Sequence, residues 1–357
     1  MASMQSSNGD SIRMKELGGS RNELPPRKRP GRFTRRTLII VGVLASVLII
    51  ALAVGLGVGL TRNNGGGDEG SSPSSSSPAG PLPTANATSN GTYWQPGVAA
   101  SWQIALQNPV LITADNKTTD PDVEVFDIDL FTNSNTTIEL LHGLGKKVIC
   151  YFSGGSYEPY RPDSGEFASN VIGKALDGWP DEHWIDLRSQ NVRDIMTKRI
   201  ELASSKGCDG LDPDNVDAYN NDNGLGLTQA DTINYMEFLS SEARSRNMSI
   251  GLKNAGEVLS NLTSTVQFSV NEQCVQFSEC GKFAPMVAAG KPVFHIEYPK
   301  SAIGQVASKV ASDFCSRSGD ADGSASFSTV MKNMDLDGWV EFCDQVTANT
   351  TLVVSDS

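Results

Sequence analysis

The residues best equipped for chemistry stand where apolar runs end. Val125-Phe-Asp127-Ile-Asp129, Ile149-Cys-Tyr151-Phe-Ser153, Gly210-Leu-Asp212-Pro-Asp214, Gly251-Leu-Lys253-Asn254, Val270-Asn271-Glu272 and His295-Ile-Glu297-Tyr298 each pass from apolar to polar within a few positions. In a parallel barrel such strand ends converge on one face and build a site together. A single acid in such a place is more often a cap or an ion-pair partner, so the argument rests on the set. The densest piece, Cys208 to Tyr219, carries Asp209, Asp212, Asp214 and Asp217. Crowding like charges raises some carboxyl pKa values, which keeps a general acid protonated near neutrality. Two carboxyl groups on either side of a bond suffice for glycoside hydrolysis. One protonates the leaving oxygen while the other attacks or activates water.

Other chemistries fit less well. An Asp/Asn-rich loop can also hold calcium, but the segment lacks the Gly at position 6 and Glu at position 12 of an EF-hand loop, and no metal is expected. The only histidines are His142, His183 and His295, and there is no HExxH, GxSxG or phosphate-binding loop, so no cofactor is expected either. His142 and His183 read as surface or loop residues, whereas His295 is placed to orient Glu297 or to pack. Between Gly154 and Leu187 the chain carries Tyr157, Tyr160, Trp179 and Trp184, which offer stacking platforms for sugars or, for the two tryptophans, core packing.

The elements that must position these residues alternate. Strands are expected near Trp102–Leu106, Val123–Asp129, Lys147–Phe152, Gly210–Asp214, Ser249–Lys253, Gln267–Asn271, Pro292–Glu297 and Ser328–Met331. Between them, Asn191 to Lys206 shows an apolar stripe at Val192, Ile195, Met196 and Ile200, with Asn191 as a cap and Gly207 just past the end. A second helix is expected over Ala230 to Arg246. Alternating strands and helices predict a parallel sheet, and about eight strands over residues 93–357 predict an α/β fold, a (β/α)8 TIM-type barrel. An open doubly wound sheet would show the same local pattern.

Ahead of the barrel, Leu38 to Leu60 is an uncharged apolar run long enough to cross a ~30 Å hydrocarbon core. Its basic N-terminal flank, RKRPGRFTRR, predicts a cytoplasmic tail over 1–37 and a single-pass, type II arrangement with the remainder outside, extracellular or in the secretory lumen. A cleaved signal sequence would have a shorter core and fewer residues before it. Residues 61–92, rich in Gly, Ser and Pro, cannot bury a core and read as a flexible, disordered stalk. From Met1 to Arg36 there are nine Lys/Arg against three Asp/Glu, which leaves 20 against 38 for the rest. So acidic an outer part excludes nucleic acid as a partner and favours cationic ligands. All six cysteines follow the apolar run, so up to three disulfides are possible: Cys274 with Cys280 would close a small loop, and Cys315 with Cys343 would pin the C-terminal segment. Seven Asn-X-Ser/Thr sequons, at Asn86, Asn90, Asn116, Asn135, Asn247, Asn261 and Asn349, agree with passage through a secretory route.

These motifs carry a resemblance. Trp94-Gln-Pro, Trp102-Gln-Ile, Val-Phe-Asp127-Ile-Asp129, Cys150-Tyr-Phe-Ser-Gly-Gly, Asp209-Gly-Leu-Asp-Pro-Asp-Asn-Val-Asp-Ala-Tyr219, Gly251-Leu-Lys-Asn254, Asn271-Glu-Gln-Cys274 and Phe294-His-Ile-Glu-Tyr298 occur in order. Together they resemble the endo-α-1,4-polygalactosaminidase family, glycoside hydrolase family 114, in its fungal form. The resemblance implies an endo-acting hydrolase of α-1,4-linked galactosamine polymers such as galactosaminogalactan. It implies Asp214 and Glu272 as the catalytic pair, with Asp212 able to exchange roles with Asp214. Asp127, Asp129 and Asp217 become candidates for binding substrate ammonium groups, and Lys253 for holding a catalytic carboxylate charged. Tyr151, Asp212, Asn254, Glu297 and Tyr298 complete the expected substrate-binding set. The alternative is a non-catalytic barrel that binds wall polysaccharide.

Overall fold

The computed structural model describes residues 93–299 and 304–354, so the tail over 1–37, the apolar run over 38–60 and the stalk over 61–92 lie outside the described residues. Among the described residues no helix is long and apolar enough to cross a membrane.

All eight expected strands are present. They are β1 (Trp102–Ala105), β2 (Val125–Asp129), β3 (Lys147–Ser153), then, after the short strands β4 (Ser156–Tyr157), β5 (Ile172–Leu176) and β6 (Trp179–Ile185), β7 (Gly210–Asp214), β8 (Ser249–Lys253), β9 (Phe268–Glu272), β10 (Val293–Glu297) and β11 (Ser328–Met331). They pair in parallel in the order β1-β2-β3-β7-β8-β9-β10-β11. Two further strands, β12 (Trp339–Phe342) and β13 (Thr347–Asn349), extend this sheet antiparallel to ten strands. The connection over 332–338 is too short for a crossover, so the chain can only turn back on β11. The result is a curled, parallel-dominated sheet of TIM-like character. Between β1 and the β11 segment Trp102 Nε1 donates to Ser328 O at 2.7 Å and Lys332 Nζ to Gln103 Oε1 at 2.9 Å.

Strand alternation sorts side chains between two cores. Trp102, Val125, Ile149, Phe268, Phe294 and Val330 meet in one cluster inside the curl. Phe126, Val148, Leu211, Ile250 and Val293 face the helices in a larger one. Gly251 is required by the inner cluster: a Cβ there would lie 2.2 Å from the Phe268 ring.

The helical layer is uneven. Helices α1 (Asn135–Gly143), α2 (Gln190–Lys206) and α3 (Gln229–Ser245) are substantial, whereas α4 (Leu259–Leu262), α5 (Ala284–Ala288) and α6 (Ser308–Phe314) are short. Helix α2 buries Val192, Ile195, Met196 and Ile200 at helical spacing and ends at Gly207 with φ 90°. It starts two residues earlier than a cap at Asn191 would place it, with Ser189 at the cap. Asn191 instead accepts from Ala168 N and donates to Glu166 O, tying the helix to the preceding loop. Helix α3 begins in a reciprocal capping box of Thr228 and Asp231.

The six cysteines form Cys150–Cys208, Cys274–Cys280 and Cys315–Cys343. The first joins β3 to the entrance of β7, the strand bearing Asp214. Closing a loop of this length restricts the unfolded chain, so the Cys150→Ser/Cys208→Ser double variant is expected to lose about 2–4 kcal/mol of stability in urea unfolding. An unchanged midpoint would contradict that.

Candidate active site

Register brings the expected residues together. Tyr151 lies opposite Asp212 and Ser153 opposite Asp214, while β8 and β9 place Lys253 opposite Val270, two positions before Glu272. Asp214, Lys253 and Glu272 therefore come from three successive strands of the sheet. At their centre is the Lys253 ammonium, fully buried, 3.3 Å from Asp212 Oδ2, 3.7 Å from Asp214 Oδ2 and 3.7 Å from Glu272 Oε2. Burial alone would push Lys253 down, but Asp212, Asp214, Glu272 and Asp127 hold it well above its ordinary range, so it stays charged.

Each proposed catalytic carboxylate is held by a tyrosine and by the residue after a strand. Tyr151 OH donates to Asp214 Oδ2 at 2.9 Å, and Asn215 N to Asp214 Oδ1 at 2.8 Å. Tyr298 OH donates to Glu272 Oε1, and Asn254 Nδ2 to Glu272 Oε2 at 3.1 Å. Burial first, and the neighbouring carboxylates second, raise both tyrosines well above their usual range, so both remain donors. Asn215, Asn254 and Gln273, which directly follow β7, β8 and β9, have φ of 59°, 47° and 63°. Left-handed backbone at three non-glycine positions costs on the order of 1–3 kcal/mol each and gathers at functional sites. Gly154 N and Gly155 N both donate to Asp214 O, at 2.8 and 2.9 Å. A Cβ on Gly155 would lie 1.8 Å from Asn215 O, so this approach requires the second glycine of Cys150-Tyr-Phe-Ser-Gly-Gly.

Above this floor is a cleft of about 600 Å³. Asp129, Tyr151, Asp214, Asp217, Lys253, Asn254, Glu272 and Tyr298 all line it. Asp127, Asp212 and Glu297 do not: each is wholly buried. Asp212 lies beneath Lys253, and burial raises it to about 6 against the pull of that lysine. Asp127 is raised well above the carboxylate range by burial and by Asp212. Glu297 follows strand parity: Phe294 and Ile296 belong to the inner cluster, so His295 and Glu297 point the other way. There His295 Nε2 and Val275 N both contact Glu297 Oε1, at 2.9 and 2.7 Å, and the pair supports the segment after Glu272. Asp129 lines the cleft but accepts from Arg161 Nη1 at 2.6 Å and from Phe131 N and Thr132 N. Asp209 lies at the opposite end of β7, paired with His142 and Lys147 at 2.7 Å each.

The aromatic insertion forms a separate three-stranded antiparallel sheet, β4-β6-β5. Trp184 and Phe167 are buried in it, while Trp179 and Tyr160 stand at the cleft mouth, 57% and 64% exposed. The loops after β9 and β11 contribute Phe277, Glu279 and Met334. Sequence reasoning passed over Glu182 of β6, which also faces the cleft, and Glu158, which binds Arg161 at 2.8 and 2.9 Å. The one available signal was Glu182 sharing strand parity with buried Trp184.

Burial, reinforced by nearby carboxylates, raises Asp217 and Glu182 to about 7 each. Against its own burial, Lys282 and neighbouring donors hold Glu257 down at about 2. Groups raised in the folded state bind protons more tightly there than when unfolded. The stability Asp212, Asp217 and Glu182 confer is present below the ordinary carboxyl range and is lost as pH rises through about 6 to 7. The contribution of Glu257 has the opposite sign and is lost as pH falls below its unfolded value of 4.5. Calorimetric Tm is therefore expected to rise as pH is lowered from about 8 to about 5 and to fall at still lower pH. A Tm that climbs with pH across that upper window would contradict these assignments.

Comparison with known proteins agrees with this geometry. The profile of glycoside-hydrolase family GH114 matches residues 83–348. Aspergillus fumigatus Ega3, solved in complex with galactosamine, is 49% identical with a TM-score of 0.64, over 71% of this chain and 100% of that one. A variant of the glycoside hydrolase domain of PelA from Pseudomonas aeruginosa is 13% identical with a TM-score of 0.52, over 66% of this chain and 95% of that one, a likeness of fold alone. No curated protein matches the chain. An acid-lined cleft on a TIM-like sheet, matched over three quarters of the sequence, places the chain in glycoside-hydrolase family GH114.

Proposed function

We propose that the chain is an endo-acting glycoside hydrolase that cuts α-1,4-galactosaminidic bonds in galactosamine-containing polysaccharide such as galactosaminogalactan, with Asp214 and Glu272 as the catalytic pair. The observation that carries this reading is the convergence of both carboxylates on one buried ammonium, each within 3.7 Å, at the floor of an open cleft. One protonates the leaving oxygen and the other attacks the anomeric carbon or activates water. Lys253 offsets their mutual repulsion, and Tyr151 and Tyr298 fix their orientation. A solvent-open cleft suits a polymeric substrate. The galactosamine bound to the similar Ega3 supports an amino sugar as substrate, and the acidic balance of the outer chain, including Asp217 in the cleft, suits a cationic one.

The same reading completes the fold as a closed (β/α)8 barrel, supported by the bonds from Trp102 and Lys332 that bridge β1 and β11. It also includes a type II anchor at 38–60 with the catalytic domain outside. The basic flank, three disulfides and exposed sequons at Asn116, Asn135, Asn247, Asn261 and Asn349 support that topology.

Reducing-end release from partly deacetylated galactosaminogalactan tests the activity. Release that grows with deacetylation is expected. Tight binding of the polymer without release would favour the non-catalytic wall-binding barrel.

A further inference from the structure

Among the described residues, Glu182 is a carboxylate without a counter-ion in the cleft wall. Its Oε2 accepts from Ser156 Oγ at 3.0 Å, and Tyr160 OH, whose shorter bond at 2.7 Å goes to Glu158 Oε1, lies 3.4 Å from its Oε1; both neighbours are neutral. The two cations of the same insertion are engaged elsewhere: Lys174 pairs with Asp222 at 2.6 Å, while Arg161 binds Glu158 through Nε and Nη2 and Asp129 through Nη1. Glu158 and Asp214, both negative, are the charged neighbours that act most strongly on it. A carboxylate pressed by two others keeps its charge at a cost that either a proton or an arriving cation relieves. On the same strand, exposed Trp179 presents a ring at the mouth of the cleft. A ring and a carboxylate lining one cleft match a polymer of hexosamine, in which one apolar sugar face stacks while an ammonium reaches the acid. The adjoining hollow lined by Leu106, Gln107, Phe131 and Thr132 differs, because its only carboxylate, Asp129, is already held by Arg161.

We propose that Glu182, with Tyr160 behind it and Trp179 as stacking platform, forms a subsite that selects a free 2-amino group on a sugar next to the unit being cut. This rests on the glycosidase reading and goes further by locating where acetylation is sensed. A neutral acetamido group there would bury Glu182 without pairing it, so N-acetylated sugars are disfavoured at this position.

The test uses full-length protein carrying Asp214→Asn, so that ligands survive. An α-1,4-galactosamine tetramer and its fully N-acetylated counterpart are titrated calorimetrically, with and without Glu182→Gln, which keeps the size and the Ser156 hydrogen bond. Glu182→Gln is expected to weaken the galactosamine tetramer about tenfold, to change the N-acetylated one by less than about twofold, and to flatten the salt dependence. Trp179→Ala should weaken both ligands alike. Equal losses on both tetramers with Glu182→Gln, no loss on either, or no binding of either before the change would each overturn the subsite. Because this measures binding, a wild type that proves unable to cut the polymer would count against the activity and leave the subsite decided by the titration.

Discussion

Asp214→Asn and Glu272→Gln are each expected to lower kcat roughly 10³-fold or more on galactosamine polymer. Both changes preserve shape and most hydrogen bonds. Tyr151 OH and Asn215 N can still donate to the remaining carbonyl oxygen of an asparagine at 214, and Tyr298 OH to that of a glutamine at 272. Loss of folding is therefore not the expected cause, and Tm should stay close to that of the wild type. The two groups act on one bond, so the double variant should be little worse than the weaker single variant. Asp212→Asn is the informative companion. Asp212 touches the cleft only through Lys253, so its replacement should cost less than that of Asp214. A larger loss at Asp212 would move the catalytic role to that residue.

The second large effect is expected at Lys253. Lys253→Met removes the one ammonium among the described residues that faces Asp212, Asp214 and Glu272 and leaves them close together without it. Removing one member of a buried charge cluster costs about 3–5 kcal/mol, which urea unfolding would register. Activity should fall as well, and the acid limb of the pH–rate profile should move upward, because carboxylates without their cation hold protons to higher pH. Lys253→Arg, which keeps the charge, should restore the position of that limb more than the rate. A Lys253→Met protein with wild-type stability and an unmoved profile would show that the ammonium does not compensate these acids.

Much of this was legible in the sequence, for identifiable reasons. The eight parallel strands are short apolar runs bounded by breakers, a pattern set by local chemistry, and all eight occur near their expected places. Asp214, Lys253, Asn254 and Glu272 were legible because strand ends in such a sheet share a face. What the sequence leaves open is which way a side chain points at that end. Glu297 and Tyr298 are adjacent, yet only Tyr298 lines the cleft, because alternation along β10 sends Ile296 inward and Glu297 outward. Burial depth is equally hidden: Asp212 and Asp214 belong to one short motif, but one lies below Lys253 and the other beside the cleft. Glu182 was missed because its orientation depends on the pairing of β6 with β4 and β5, which is visible only after the insertion folds.

The central claim, that these carboxylates make a hydrolase acting inside an amino-sugar polymer, is tested most directly by following product size over time. Purified full-length protein is incubated with long, deacetylated α-1,4-galactosamine polymer, and the chains are separated by length at early conversion. The account predicts a rapid fall in mean chain length with oligomers of several sizes and little monomer, absent with Asp214→Asn or Glu272→Gln. Monomer released from intact long chains would contradict internal cleavage, and unchanged chain length on every amino-sugar polymer tried would contradict the enzyme itself.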